Sequence, residues 1–328
     1  MTAADPALRR AAIVGAGRMG AGIAESFLTE GLDVVIADAT PEHCEASRRR
    51  LGERMRAHAA AGLIAPEAAA RADEVTVAHD IPNAVRDADL VIEAVTEDTE
   101  VKRAVLGVCD RATSPDAIIA SNTSSLDINV LSGYVARPER FLGMHWFNPP
   151  EWTPGVEVIP AAATRPEIVA RVVALLQGIG KRPSVVSSSV GFIANRLQMA
   201  LFCEAARCVE EGLASPRDID EVVRSCFGFR LPYFGPFQIA DMAGLDVYKA
   251  VIEQHQQGFG DRFEVPDSLR RLVDEGRYGT AAGGGFYDYA DGAPETILVE
   301  RDRRYAALSD LLKTEPPIEF DPGDGHPA

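Results

Sequence analysis

No apolar run in this 328-residue chain approaches the ~18 residues that a membrane-spanning helix needs, so no such helix and no membrane partner are expected. Cysteine is scarce. The five residues, at positions 44, 109, 203, 208 and 226, form no CxxC pair and are odd in number. That pattern implies neither a disulfide framework nor a metal site, and reduced thiols in a cytoplasmic protein are the simple reading. The opening MTAADPALRRAAIVGAG lacks the basic-then-apolar layout of a secretory signal. Positive charge is also in deficit. A net charge of −16 repels phosphates, which argues against nucleic acid as a partner. A small anion remains compatible, because SRRRLGERMR, residues 47–56, sets five arginines against one glutamate. No internal repeat or low-complexity segment is evident.

What is present is ordinary globular composition, 46% hydrophobic and 25% charged, at a length that suggests two domains. AAIV at 11–14 reads as a short buried strand, followed by a helical stretch carrying Met19, Ile23 and Phe27 and closing on Gly31. DVVIAD reads as a second strand, and residues from about 41 to 73 as helical by propensity. Further strand-like runs are EVTVA, DLVIEAV, AIIAS and RFLGM, with helical stretches between several of them. Strands alternating with helices predict a mostly parallel sheet covered on both faces. After KRPSVVSSSVG the pattern changes to helices: FIANRLQMALFCEAARCVEEGL is amphipathic, and SPRDIDEVVRSCFGF reads as a capped second helix. The expected organisation is a first domain over 1–186, a helical domain over 187–296, and a charged helix with a disordered tail, DPGDGHPA, over 297–328.

Gly15-Ala16-Gly17-Arg18-Met19-Gly20 fits GxGxxG. The pattern alone is weak, but here a strand precedes it and a helix follows. The first glycine permits the turn, the second lets a pyrophosphate approach the backbone, and the third allows close helix–strand packing. Asp38 stands eighteen residues past Gly20 at the end of the next strand, placed to accept from a ribose 2′-hydroxyl and to repel a 2′-phosphate. NAD is therefore expected over NADP.

The stretch RFLGMHWFNPPEWTPGVEVIP places His145 in one apolar run and Glu157 twelve residues later in a second. Taken singly, His145 is a satisfied core histidine, Glu157 an edge-strand acid and Asn195 a residue near a helix start. Two antiparallel strand ends joined by NPPEWTPG would instead bring Glu157 beside His145. A neutral imidazole is a natural proton acceptor near neutral pH, and a carboxylate on its far nitrogen fixes the tautomer.

Seven ordered segments carry a resemblance: GAGRMGAGIA, VIEAVTEDTEVKRAV, ASNTSSL, FLGMHWFNPP with VEVI, GFIANRLQMALFCEA, GPFQIADMAGLD and GRYGTAAGGGFYDY. Together they resemble the L-3-hydroxyacyl-CoA dehydrogenase family. The resemblance implies an α/β Rossmann-like N-terminal domain with a mainly α-helical C-terminal domain, a homodimer, and a place in fatty acid metabolism. It implies a catalytic His145 paired with Glu157 and assisted by Ser124 and Asn195. It also puts Glu97 and Lys102 at the nicotinamide ribose, and Ser124 and Asn148 beside the nicotinamide ring. For Lys102 the alternative is a solvated helix lysine.

Two departures concern the substrate. Where many members of the family have a lysine-rich stretch that meets CoA, this chain reads HAAAGLIAP, with arginines at 48, 49, 50, 54 and 56 either standing in or forming a solvated helix face. The loop after Asn148-Pro149 reads PEWTPG, which predicts an altered acyl pocket. The substrate expected first is a short 3-hydroxyacyl-CoA. The alternatives are a hydroxyacyl group on a carrier protein, a free hydroxy acid or alcohol, and a non-enzymatic NAD-binding role.

Overall fold

The structure is a computed structural model and describes residues 8–290 and 293–318. The tail DPGDGHPA lies outside the described residues.

The first elements alternate as the sequence pattern requires: β1 (Arg10–Val14), α1 (Arg18–Thr29), β2 (Asp33–Ala37), α2 (Pro41–Ala60), α3 (Pro66–Ala70) and β3 (Thr76–Val77). They continue with α4 (Ile81–Val85), β4 (Leu90–Glu93), α5 (Thr99–Ala112), β5 (Ile118–Ser121) and α6 (Ile128–Ser132). The sheet is completed by β6 (Phe141–Trp146), β7 (Gly155–Pro160), α7 (Pro166–Gly178) and β8 (Arg182–Val185). The strand order is β3-β2-β1-β4-β5-β6-β7-β8, and every neighbouring pair is parallel except β6 and β7. The order reverses direction at β1 and β4, the switch point at whose carboxyl ends such folds bind ligands.

The strands are apolar on both faces because both faces are covered. Ile13, Ile36 and Met144 pack with Phe27 of α1 and Val172 of α7 in one core cluster. Val35, Val91 and Ile119 pack with Leu106 of α5 in another. The helix expected over 41–73 is broken: α2 stops at Ala60, Gly62 takes a left-handed φ of +71°, and α3 with a 3₁₀ turn at Arg71–Glu74 follows. That turn also leaves only Thr76–Val77 of the EVTVA run in the sheet. Helix propensity does not register a glycine stop placed between two alanine-rich segments.

Two compact units divide at Leu201 and Phe202, within α8 (Ala194–Glu210). The second unit is helical, with α9 (Pro216–Ser225), α10 (Pro236–Ala243), α11 (Leu245–Phe259), α12 (Asp267–Asp274) and α13 (Ala293–Thr314). Ser215 caps α9, accepting from the Asp218 N–H as its S-x-x-D spacing suggests. Asp241 is buried and accepts the Phe286 and Tyr287 amides and the Tyr289 hydroxyl, which ties the GGGFYDY segment to α10. Among the described residues no helix is long and apolar enough to cross a membrane.

Candidate active site

The glycine loop runs from β1 into α1, whose N-cap is Gly17 with no side-chain cap, so the first helical N–H groups point outward uncapped. Gly15 has φ +100°, and a Cβ there would sit 2.6 Å from the Ala94 carbonyl group. A Cβ on Gly20 would overlap the Gly15 carbonyl. Gly17 differs: nothing lies within 4 Å of where its Cβ would be. Protein packing therefore explains Gly15 and Gly20 but not Gly17, and the open space at Gly17 fits close approach of a dinucleotide pyrophosphate. A cavity of about 320 Å³ beside the loop is lined by Gly15, Gly17, Asp38, Ile81, Val95 and Val101 among others. Asp38 closes β2 into this cavity, its carboxylate accepting the Ala16 and Ala39 amides at 2.8 and 2.6 Å. Arg18 is exposed and Met19 half-buried on the first turn of α1.

His145 and Glu157 face each other across the antiparallel β6–β7 pair, with His145 Nδ1 2.8 Å from Glu157 Oε2. Both side chains are buried, at 4% and 5% exposure, which removes the competition from water that weakens such pairs at a surface. The rings of Phe147 and Phe192 flank the imidazole, with centroids 4.4 and 5.4 Å away. The second carboxylate oxygen of Glu157 accepts the amides of Ile193 and Ala194 at 3.0 and 2.9 Å. Two consecutive left-handed residues, Gly191 (φ +70°) and Phe192 (φ +49°), turn the chain so that these amides reach it. Glu157 thus also caps the start of α8, and Asn195 in the first turn of that helix donates to the Ser124 carbonyl at 3.3 Å.

A hydrogen-bonded network continues from Ser124. One oxygen of Glu97 accepts the amides of Ser124 and Ser125 and the hydroxyls of Thr123 and Ser125. Burial alone would raise the Glu97 carboxyl, but the Thr123 hydrogen bond and the Lys102 charge outweigh it and hold it below the usual carboxylate range. Lys102 Nζ lies 3.3 Å from Glu97 and 2.7 Å from Glu93. It is fully buried, so the reading of Lys102 as a solvated helix lysine is wrong. Asn148 is exposed, ahead of a cis bond to Pro149.

Sequence reasoning missed Glu93, which it took only as part of a strand. The signal was available: a carboxylate in a strand buried on both faces needs a partner, and Lys102 and Ser121 supply it, with Val95 N–H adding a third bond. It also missed Asn122, whose side-chain oxygen accepts the Trp146 amide at 2.9 Å and fixes the strand end next to His145.

Three of the arginines proposed to stand in for CoA-binding lysines are ion-paired: Arg54 with Glu25, Arg48 with Glu45 and Arg56 with Asp73. Arg50 donates to Ser47. The PEWTPG loop docks on the same region. Lys181 donates to the carbonyls of Pro150, Glu151 and Thr153, Trp152 packs edge-on against His58, and a Cβ on Gly22 would meet the Glu151 carboxylate at 2.5 Å.

The 3-hydroxyacyl-CoA dehydrogenase NAD-binding domain matches residues 10–189, and the C-terminal domain of the same family matches 191–289. A 5-formyl-3-hydroxy-2-methylpyridine 4-carboxylate 5-dehydrogenase of Mesorhizobium japonicum is 36% identical over 307 residues, covering 93% of this chain and 99% of its own. A probable 3-hydroxybutyryl-CoA dehydrogenase of Bacillus subtilis is 36% identical over 286 residues, covering 87% of this chain and 98% of its own. A solved 3-hydroxyacyl-CoA dehydrogenase from Archaeoglobus fulgidus superposes with a TM-score of 0.76 at 31% identity, covering 93% of this chain and 98% of its own. With both domain models matched in order, the chain belongs to the 3-hydroxyacyl-CoA dehydrogenase family and is an NAD-dependent oxidoreductase.

Proposed function

We propose that the chain interconverts a 3-hydroxyacyl and a 3-oxoacyl group, carried as a short CoA thioester, with His145 as the general base and acid. The observation that carries this reading is the buried 2.8 Å contact of His145 Nδ1 with Glu157. With Nδ1–H donated to the carboxylate, Nε2 is the free acceptor and takes the proton of the substrate hydroxyl. Glu157 stabilises the imidazolium that results, and its second oxygen, held by the Ile193 and Ala194 amides, keeps it from turning away. Ser124 and Asn195, joined through the Ser124 carbonyl, offer the remaining amide N–H and the serine hydroxyl to the substrate oxygen. Bound NAD supplies the hydride acceptor. Gly15, Gly17, Arg18, Met19 and Gly20 would hold its phosphates and Asp38 its adenosine ribose. Glu97, tied to Lys102, and Asn148 would serve the nicotinamide end.

A second reading keeps this chemistry but replaces the thioester with a compact hydroxy acid, alcohol or carrier-bound group. The engaged arginines of α2 and the absence of lysine from HAAAGLIAP favour it. So does the M. japonicum relative, whose named substrate is a pyridine carboxylate. Steady-state rates with acetoacetyl-CoA, its pantetheine analogue and free acetoacetate separate the two. A rate confined to the CoA form supports the thioester reading, and equal rates for CoA and pantetheine forms overturn any use of the nucleotide half.

A homodimer in the cytoplasm completes the proposal. No residue of α8 is buried within the chain, and Leu197, Met199 and Leu201 are exposed on it, which a second copy would cover. All five cysteines are free thiols, in keeping with a reducing compartment. A sedimentation mass equal to one chain would overturn the dimer.

A further inference from the structure

The second unit contains a cavity of about 280 Å³ between α10 and α13, lined by Arg230, Ile239, Met242, Ala243, Arg301, Asp302 and Tyr305. Arg230 lies on the 3₁₀ turn Gly228–Arg230 just before α10, and the last three residues lie on α13, beyond the family match that ends at residue 289.

Two polar atoms on this lining are buried without a hydrogen-bond partner among the described residues: Arg230 Nε and the Tyr305 hydroxyl. Buried donors are rarely left so, because each costs the full desolvation of the group. The Tyr305 ring is fixed between Phe229 and Phe234, with centroids 5.4 and 5.9 Å away, so its hydroxyl cannot swing out to solvent without loss of packing. Burial pushes the Tyr305 phenol above its ordinary range, so it stays a protonated donor at neutral pH. The charges are unequal as well. Arg301 is paired with its neighbour Asp302 at 2.8 Å, while Arg230 has no carboxylate partner among the described residues. Asp302 is 67% exposed, so its field is screened. One guanidinium charge in a half-apolar cavity is left unmatched.

The geometry points to a binding site for a small monocarboxylate with a compact apolar body. Its carboxylate would accept from Arg230 and the Tyr305 hydroxyl, with Arg301 adding charge, and its body would lie on Ile239, Met242 and Ala243. Water would satisfy the two orphaned donors, but it would not neutralise Arg230. The volume lies just under the ~300 Å³ at which drug-sized sites begin, which suits a monocyclic or short-chain acid. A phosphate dianion would bring a second negative charge for which the lining has no unpaired cation. The inference is independent of the roles assigned to His145 and Glu157.

The test is calorimetric titration of the full chain with benzoate, benzamide and inorganic phosphate. Saturable benzoate binding is expected, with benzamide weaker by roughly tenfold or more, because a charged acceptor is lost. Arg230→Gln should weaken benzoate by a similar factor, and Tyr305→Phe, which keeps the packed ring, by several-fold. Should Arg230→Gln fail to fold, Tyr305→Phe and Arg301→Gln carry the same comparison. Absence of saturable benzoate binding would overturn the site, as would binding untouched by these substitutions. Arg230-dependent binding of phosphate in preference to benzoate would overturn the carboxylate assignment.

Discussion

His145 and Glu157 are register partners on the antiparallel β6–β7 pair, so their side chains leave the same face and meet at 2.8 Å. A parallel connection at this point would have placed the two residues on strands separated by a long crossover. The reversal of β7 lets twelve residues of chain supply both halves of the acid–base pair proposed above. His145→Ala should therefore lower kcat by roughly 10²–10⁴ while NADH affinity, read by fluorescence titration, is unchanged. Glu157→Gln should cost less, since the amide still reaches the ring but no longer stabilises its cation. Loss of NADH binding in step with activity would make His145 a structural residue.

The second oxygen of Glu157 depends on an unusual piece of backbone. Gly191 and Phe192 both have left-handed φ, and together they aim the Ile193 and Ala194 amides at the carboxylate. Gly191→Ala meets no close atom, its Cβ coming no nearer than 3.6 Å to Asn195, so its cost is conformational, about 1 kcal/mol. Chemical denaturation and kcat should both decline. A stability loss with kcat untouched would show that the turn does not orient Glu157.

Among the described residues Lys102 is the only cation paired with Glu93, a carboxylate with no exposure at all. Lys102→Met should destabilise the chain by ~3–5 kcal/mol, because an unpaired buried charge remains. Adding Glu93→Gln should recover part of that loss in urea unfolding. If the double variant is as unstable as the sum of the singles, the pair is not coupled.

Much of this was readable in advance, for identifiable reasons. The strands of the first unit are short apolar runs punctuated by glycine and proline, and alternation with helices fixes a parallel sheet. Gly15 and Gly20 were legible because backbone crowding demands glycine there whatever the partner. The hidden features were those set by distant contacts. The α2 arginines form one uniform run in sequence, yet Arg54 finds Glu25 on α1 and Arg56 finds Asp73 beyond the Gly62 break. An amphipathic pattern likewise does not say which polar residue of α5 turns inward, so Lys102 was readable as a surface lysine. The PEWTPG loop was expected to reshape the acyl pocket. Its anchors, Lys181 on the far side of α7 and Gly22 on α1, are invisible from the loop itself.

Asp38 bears on cofactor choice. Its carboxylate lines the cavity beside the glycine loop and would repel a 2′-phosphate, and the imidazole beside it, His43 with Nδ1 3.8 Å away, is largely exposed. Asp38→Ala should reduce the NAD-over-NADP ratio of kcat/KM by roughly tenfold, the scale of one charged hydrogen bond. Equal wild-type rates with the two cofactors would remove the assignment.

Arg140, 1% exposed, donates to the Asp110 carboxylate at 2.6 Å and to the carbonyls of Ser114 and Ala117, locking α5 to the start of β6. Burial would raise the Asp110 carboxyl, but the Arg140 hydrogen bond and the Ala136 amide outweigh it and hold it below the usual range. A carboxylate whose folded pKa is depressed binds protons more weakly folded than unfolded, so its contribution is complete above the unfolded value of ~3.9 and is lost as pH falls through the folded one. Asp110→Asn should therefore destabilise the chain most at neutral pH, by ~3–5 kcal/mol as the arginine loses its counter-charge. The gap between variant and wild type should close below about pH 4. Unfolding free energies measured from pH 7 downward check this, and a gap that stays constant with pH would mean that Asp110 contributes shape rather than charge.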